Sequence, residues 1–382
     1  LGGPSKTTNI HGITNSDWLV TKGGDGFETQ ADPDNPDIIY SQSQYGNLAR
    51  FDKKSGERIS IQPQAGENEE PLRWNWNSPL LISPHSGTRI YFACQKLFRS
   101  DDRGNSWKAF SGDLSRNLDR NRLSIMGKVQ SIDSIAKNTS TSFYGAIVSL
   151  TESPIREGLL IAGTDDGLIQ VTTDGGENWS EHESFPGVPD KPYVSDLESS
   201  FHDPDVIYAS FDSHKSGDFR PYLLKSTDLG NNWTSITGNL PERGTVYTLA
   251  EDHINPELLF AGTEFGVFFT TDGGKEWIRL KGGIPTICIR DLEIQRREND
   301  LVAATFGRGF YILDDYSPLR RLEKKALEID ALLFAPEKVP VYTQDSPLGP
   351  GQKGYQGDSY YTAPNPDYGA AFTYYLKEGL PD

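Results

Sequence analysis

The sequence predicts an all-β protein: a propeller of four-stranded blades with tight hairpins, incomplete at its N-terminal end and followed by the start of a second small β domain. Three observations predict it. An eight-residue turn pattern recurs four times. Similar short strand-length runs recur upstream of each copy. The 382 residues contain 38 Gly, 24 Pro and 11% aromatics, a composition suited to short strands and tight turns.

The recurring pattern is Ser/Thr, any residue, Asp, any, Gly, any, any, Trp. It occurs as Ser100-Asp-Asp-Arg-Gly-Asn-Ser-Trp107, Thr172-Thr-Asp-Gly-Gly-Glu-Asn-Trp179, Ser226-Thr-Asp-Leu-Gly-Asn-Asn-Trp233 and Thr270-Thr-Asp-Gly-Gly-Lys-Glu-Trp277. Each position has a physical task. The carboxylates of Asp102, Asp174, Asp228 and Asp272 can accept backbone N–H groups of the turn that follows. Gly104, Gly176, Gly230 and Gly274 admit a positive φ. The hydroxyls of Ser100, Thr172, Ser226 and Thr270 can bond back across the hairpin. Trp107, Trp179, Trp233 and Trp277 leave the turn and bury a large ring. The pattern therefore describes a structural hairpin tip and not a metal or catalytic site.

Strand-like runs precede each turn. Before the fourth come Thr245-Val-Tyr-Thr-Leu-Ala250, Pro256-Glu-Leu-Leu-Phe-Ala-Gly-Thr263 and Gly266-Val-Phe-Phe-Thr270. Before the third come Asp205-Val-Ile-Tyr-Ala-Ser210 and Tyr222-Leu-Leu-Lys-Ser226. β-branched and aromatic runs bounded by Gly, Pro, Asn and Asp read as strands, and four per module make a propeller blade. Residues 26–62 read as a weaker module without the Trp. Residues 287–315 read as a module of only three strands. Six blades are thus expected over 26–322. Residues 1–25 read as trailing strands of an upstream blade, and 323–382 as a linker and the start of a C-terminal β domain. Ala331-Leu-Leu-Phe-Ala335 is an alternative source for the missing fourth strand of the last module. An open ring exposes sheet edges, so the remainder of a parent chain or an assembly partner is expected to close it.

With 37 Lys and Arg against 54 Asp and Glu, the net charge is −17, which repels phosphate and argues against a nucleic-acid partner. No apolar stretch approaches the ~20 residues of a membrane span. Cys94 and Cys288 each sit in a strand-like run and read as buried free thiols. The six histidines show no metal spacing, and no metal ligand set or cofactor is expected. The acidic loop Asp212-Ser-His-Lys-Ser-Gly-Asp218 is the one place where Ca²⁺ is considered, and it is short of ligands for a full oxygen cage.

The four turns, with Arg73-Trp-Asn-Trp-Asn-Ser78, Phe98-Arg-Ser-Asp-Asp-Arg-Gly104 and Ala304-Thr-Phe-Gly-Arg-Gly-Phe-Tyr-Ile-Leu-Asp-Asp315, resemble the Asp-box, or BNR and YVTN-like, repeats of bacterial sortilin-type propeller proteins, often labelled glycosyl hydrolases. The resemblance spans roughly residues 1–320. It implies secretion to the cell surface, periplasm or exterior, a large parent chain, ligand binding and no cofactor.

Two functions are compatible with this resemblance. One is a non-catalytic module that binds a protein or glycan ligand. The other is a glycoside hydrolase of sialidase or xyloglucanase type. A sialidase-like site needs three convergent arginines, and Arg50, Arg73, Arg99, Arg290 and Arg308 are the candidates. A xyloglucanase-like site needs two carboxylates across a cleft, and Asp25 in Gly23-Gly-Asp-Gly-Phe27 is the candidate acid or base, or simply the cap of a Gly-rich turn. The ligand-binding candidates are Arg73, Trp74, Trp76 and Arg308. Alternation in a strand would place Trp74 and Trp76 on one face, as a sugar platform or as core between blades. Gly307 and Gly309 flank Arg308 and would let it project into a channel or pair with Asp314 or Asp315.

Overall fold

The structure, a computed structural model, describes residues 1–135, 137, 143–322, 326–346 and 361–378. The chain divides into two compact units, residues 24–320 and residues 1–23 with 321–382.

The larger unit is a six-bladed propeller of antiparallel sheets, each with its strands in simple sequential order. Blade one comprises Gly26–Ala31, Ile38–Ser43, Asn47–Asp52 and Arg58–Ser60. Blade two comprises Leu80–Ile82, Ile90–Ala93, Leu97–Ser100 and Lys108–Ala109. Blade three comprises Ile147–Glu152, Leu160–Thr164, Ile169–Thr172 and Ser180–His182. Blade four comprises Tyr193–Ser199, Ile207–Asp212, Leu223–Ser226 and Trp233–Ser235. Blade five comprises Val246–Glu251, Leu259–Thr263, Gly266–Thr270 and Ile278–Arg279. Blade six has three strands, Ile289–Gln295, Asp300–Thr305 and Phe310–Leu313. Ala331–Leu333, considered above as its fourth strand, pairs instead with Tyr374–Leu376.

The first strands of consecutive blades pack against one another, so they are the innermost. The second and third strands of blades two to five are nearly all buried, because both faces of the sheet are covered by neighbouring sheets. The core is accordingly a series of inter-blade layers. One joins Ile161, Ile169 and Val171 of blade three to Ile207, Phe211 and Leu224 of blade four. Another joins Tyr208 and Leu223 of blade four to Leu249, Leu259 and Phe268 of blade five.

The four Ser/Thr–Asp–Gly–Trp segments form the turns between third and fourth strands. In each, the Ser or Thr hydroxyl accepts the glycine N–H: Gly104 from 2.8 Å, Gly176 from 2.9 Å, Gly230 from 2.8 Å and Gly274 from 3.1 Å. The same hydroxyl donates to the Asp carboxylate. That carboxylate accepts the N–H four residues on, of Ser106, Asn178, Asn232 or Glu276. The Ser106 hydroxyl and N–H hold the Asp102 carboxyl down at about 2, and the Asn178 N–H and side-chain amide do the same for Asp174.

The glycine has a second task besides its φ of 82 to 94°. A Cβ at Gly104 would come 2.5 Å from Ile61, at Gly176 2.7 Å from Phe110, and at Gly274 2.7 Å from Ile236. These three turns are thereby seated on the residue that follows the previous blade's outer strand, while a Cβ at Gly230 would lie 3.1 Å from His182, the last residue of that strand in blade three. In two of the turns the Trp completes the seat: the indole N–H of Trp107 donates to Ile61 O at 2.7 Å, and that of Trp277 to Ile236 O at 2.9 Å. Polar latches join blades on the same side. Tyr208 donates to Glu251 at 2.9 Å, His202 bonds the Asp252 carbonyl and His85 that of Ser153, both at 2.8 Å. Arg320 and Tyr316 close on Asp252 at 2.7 Å.

In the smaller unit, Gly2 bridges Leu19, Asn9 bridges Asp345 and Ile13 bridges Ala363. Thr7 N–H donates to the Asn365 side chain at 2.9 Å. Among the described residues no helix is long and apolar enough to cross a membrane.

Candidate ligand-binding site

The site begins with an irregularity of the inner strands. In blades three to six the register against the second strand slips by one residue, skipping Val148, Ser195, Tyr247 and Arg290. A bulge of this kind re-aims a side chain. The residues just after it, Ser149, Asp196, Thr248 and Asp291, occupy equivalent places. Ser149 Oγ donates to Val194 O of the next blade at 3.0 Å, and Asp196 accepts Leu249 N–H of the next blade at 2.9 Å. This close approach explains the glycine of the Ala-Gly-Thr strands. A Cβ at Gly163 would lie 2.4 Å from Ser149 Oγ, and one at Gly262 2.5 Å from Thr248.

In each meander the turn between the second and third strands lies at the end opposite the Asp turn. Over blades four to six these turns surround a recess of about 630 Å³. The bulge residues Tyr247 and Arg290 form its floor, with the guanidinium 4.1 Å from the phenol ring centre. The Tyr247 hydroxyl donates to Glu264 at 2.7 Å. Burial and this bond push the phenol well above its ordinary pKa. Phe219, Phe265 and Phe306 form the walls and are 40%, 39% and 74% exposed. Arg243 stacks on Phe219 at 5.5 Å. His214 is held by Asp212 at 2.6 Å, and the half-buried Cys288 thiol is pushed by burial up to about 11. The recess thus offers flat apolar surfaces beside two guanidinium groups and one carboxylate.

Inward of this recess the inner strands carry carboxylates that feel one another. Glu28 of blade one accepts Leu80 N–H at 2.6 Å. Burial raises it to about 8, with Asp291 of blade six and Asp196 of blade four adding to the effect. That three blades so far apart in sequence share one field places their inner strands around a common bore. Burial and Asp291 raise Asp196 to about 6. Burial first, and then the surrounding Asp and Glu, raise Glu198 and Glu293, with Arg296 opposing. Asp291 and Glu293 are exposed on the inner strand of blade six. Sequence reasoning missed this cluster, although its signal was present: Asp-Leu-Glu occurs at 196–198 and again at 291–293.

The residues singled out from sequence do not converge. Asp25 is exposed beside Gln44, whose amide donates to it at 2.8 Å. Residues 73–77 are not a strand, because Asn75 turns the chain by accepting Asn77 N–H at 3.0 Å. Trp74 is 8% exposed and stacks on Phe92 at 4.9 Å in the layer between blades one and two. Trp76 is half-buried and meets Tyr45 edge-on at 5.1 Å. Arg73 donates to Asp113 at 2.6 Å and to Gly145 O at 3.1 Å. Asn75 donates to Asp165 at 2.9 Å, whose carboxyl burial raises to about 7. The Arg73–Ser78 segment is therefore a clip from blade two onto blade three. Arg308 is exposed in the hairpin of blade six. Of the five arginines considered for a sialidase-like site, only Arg290 lines the recess; Arg50 bonds Arg103 O and Arg99 bonds Asp101. Asp212 and Asp218 are engaged by His214 and by Arg220 with Tyr222. Among the described residues no group of three or more His, Cys, Asp or Glu is placed to hold a metal ion.

This is the architecture of a β-propeller protein, and comparisons place it there. No protein-family model matches the chain, and no curated protein does. Solved structures do. One is an ancestral GH74 enzyme, with TM-score 0.52 and 15% identity over 81% of this chain and 39% of that one. Another is the extracellular domain of a two-component system of B. thetaiotaomicron, with TM-score 0.51 and 12% identity over 80% of this chain and 34% of that one. The chain thus spans less than half the length of these structures, and the likeness concerns the fold.

Proposed function

We propose that this chain is a ligand-binding propeller of the sortilin-like, Asp-box kind, taking a protein segment or glycan on the face opposite its Asp turns, as part of a larger secreted or surface protein. One observation carries this reading: the recess over blades four to six, where Tyr247, Phe219, Phe265 and Phe306 stand beside Arg290, Arg243 and Glu264. Such pockets combine apolar area with a few placed polar groups. The extracellular setting of the B. thetaiotaomicron domain is in keeping with a secreted location. The test is binding of the purified chain to glycan and peptide arrays, repeated with Arg290→Ala and Phe306→Ala. Signal lost in both variants with unchanged thermal midpoints supports the recess; signal retained in both overturns it.

A second reading, glycoside hydrolysis, draws on the mutually coupled carboxylates of the bore. Two carboxyl groups held at different pKa values are what such chemistry uses. Release of reducing sugar from a polysaccharide panel, abolished by Asp196→Asn or Asp291→Asn but not by Asp25→Ala, would favour it over simple binding.

A further inference from the structure

Five blades end in an outer strand bearing polar or charged residues: Arg58, Lys108, Glu181 with His182, Thr234 with Ser235, and Arg279. Blade six ends on Phe310-Tyr-Ile-Leu313, and among the described residues no strand pairs with its open edge. This composition is that of a third strand, the position covered by a fourth in every other blade. Exposed sheet edges are ordinarily blunted by charge, proline or a bulge, and this one is not. Phe310 is 68% and Ile312 40% exposed. Just beyond its two ends stand an exposed cation, Arg308, and an exposed anion, Asp314. Among the described residues no hydrogen bond or ion pair engages the Arg308 guanidinium or the Asp314 carboxylate.

We propose that this edge is a homodimer interface, in which Phe310–Leu313 pairs antiparallel with the same strand of a second copy, joining two three-stranded sheets into one of six. The strand is self-complementary in one register. Residues opposite each other in an antiparallel ladder turn their N–H and C=O groups the same way, both towards the partner strand or both away, so a two-fold axis must pass through a residue. An axis at Ile312 would set Phe310 against Asp314. An axis at Tyr311 sets Phe310 against Ile312 of the second copy, twice, and brings each Arg308 to the end where the other copy's Asp314 stands. Apolar cross-strand pairs and opposite charges at facing positions both stabilise such a ladder. An isologous contact of this form closes on itself and does not propagate to a third copy. Each copy carries a net charge of −17, so the association is measured near physiological salt, where the screening length is about 8 Å.

The experiment is sedimentation velocity on the full chain at tens of micromolar. A dimer is expected. Ile312→Lys should give a monomer with an unchanged thermal midpoint, since the side chain is exposed. Arg308→Glu and Asp314→Arg should each weaken the dimer at least about tenfold, and the double exchange Arg308→Glu with Asp314→Arg should restore it. A monomeric wild type, including one that captures a foreign extended peptide along this edge, would overturn the proposal. So would a dimer indifferent to Ile312→Lys, or a double exchange that stays monomeric.

Discussion

The two faces of the propeller are built on different principles. On one, four turns of the same sequence repeat the same bonds, and each is seated by its glycine, two of them also by their tryptophan, on the preceding blade. The hydroxyl, carboxylate and glycine N–H of each turn are bonded within that turn. On the other, the turns differ in length and composition from blade to blade. They leave Phe219, Phe265 and Phe306 between 39% and 74% exposed beside guanidinium groups. The first face spends its chemistry on itself and gives stability. The second leaves chemistry unspent and is where a ligand would gain from binding.

Substitutions can break or sharpen that contrast, and the largest effect belongs to the closed face. Trp277 is 4% exposed and hydrogen-bonded to Ile236 O. Trp277→Ala should cost about 3–5 kcal/mol in urea unfolding. Gly274→Ala places a methyl 2.7 Å from Ile236 at a φ of 94° and should cost about 1–3 kcal/mol. Asp272→Ala removes the acceptor for Glu276 N–H and should cost about 1 kcal/mol.

The bore supplies a pH dependence of the opposite sign to that of the turns. Glu28, Asp196 and Glu293 are raised, to about 8, 6 and 7, so the folded state holds protons that the unfolded state has released. Their contribution is full below about pH 4 and is lost as pH rises through 6 to 8. Asp102 and Asp174, lowered to about 2, contribute fully above about pH 4 and lose that contribution as pH falls towards 2. The thermal midpoint should therefore be higher at pH 5 than at pH 8, and Glu28→Gln should flatten the slope. A midpoint that rises between pH 5 and 8 would remove the bore carboxylates from the account. Smallest of all is Phe306→Ala on the open face: with that ring 74% exposed, stability should change by less than about 0.5 kcal/mol.

The same contrast explains what could be read from the sequence. The closed face was legible because its physics is local: hydroxyl, carboxylate and glycine act within eight residues, so spacing alone reveals them. The three-stranded last blade was legible for the same reason, as no turn of that pattern follows Phe310–Leu313. The seat of each glycine on the previous blade was not, because Ile61 and Ile236 lie some forty residues upstream of the turns they receive. Trp74 and Trp76 misled by their alternation; a single bond from Asn77 N–H to the Asn75 side chain turns a would-be strand into an irregular clip. Tyr247 and Arg290 were hidden by the bulges that aim them, and Asp196 and Asp291 by a field that exists only when three blades meet around a bore.

Hydrogen exchange followed by mass spectrometry on the unliganded chain tests this division of labour most directly. Slow exchange is predicted at the amides of Gly104, Gly176, Gly230 and Gly274, each held by a hydroxyl inside its turn, with much faster exchange at Phe219 and at Gly307, in turns that border the recess. Turn amides that exchange as fast as those two would contradict it.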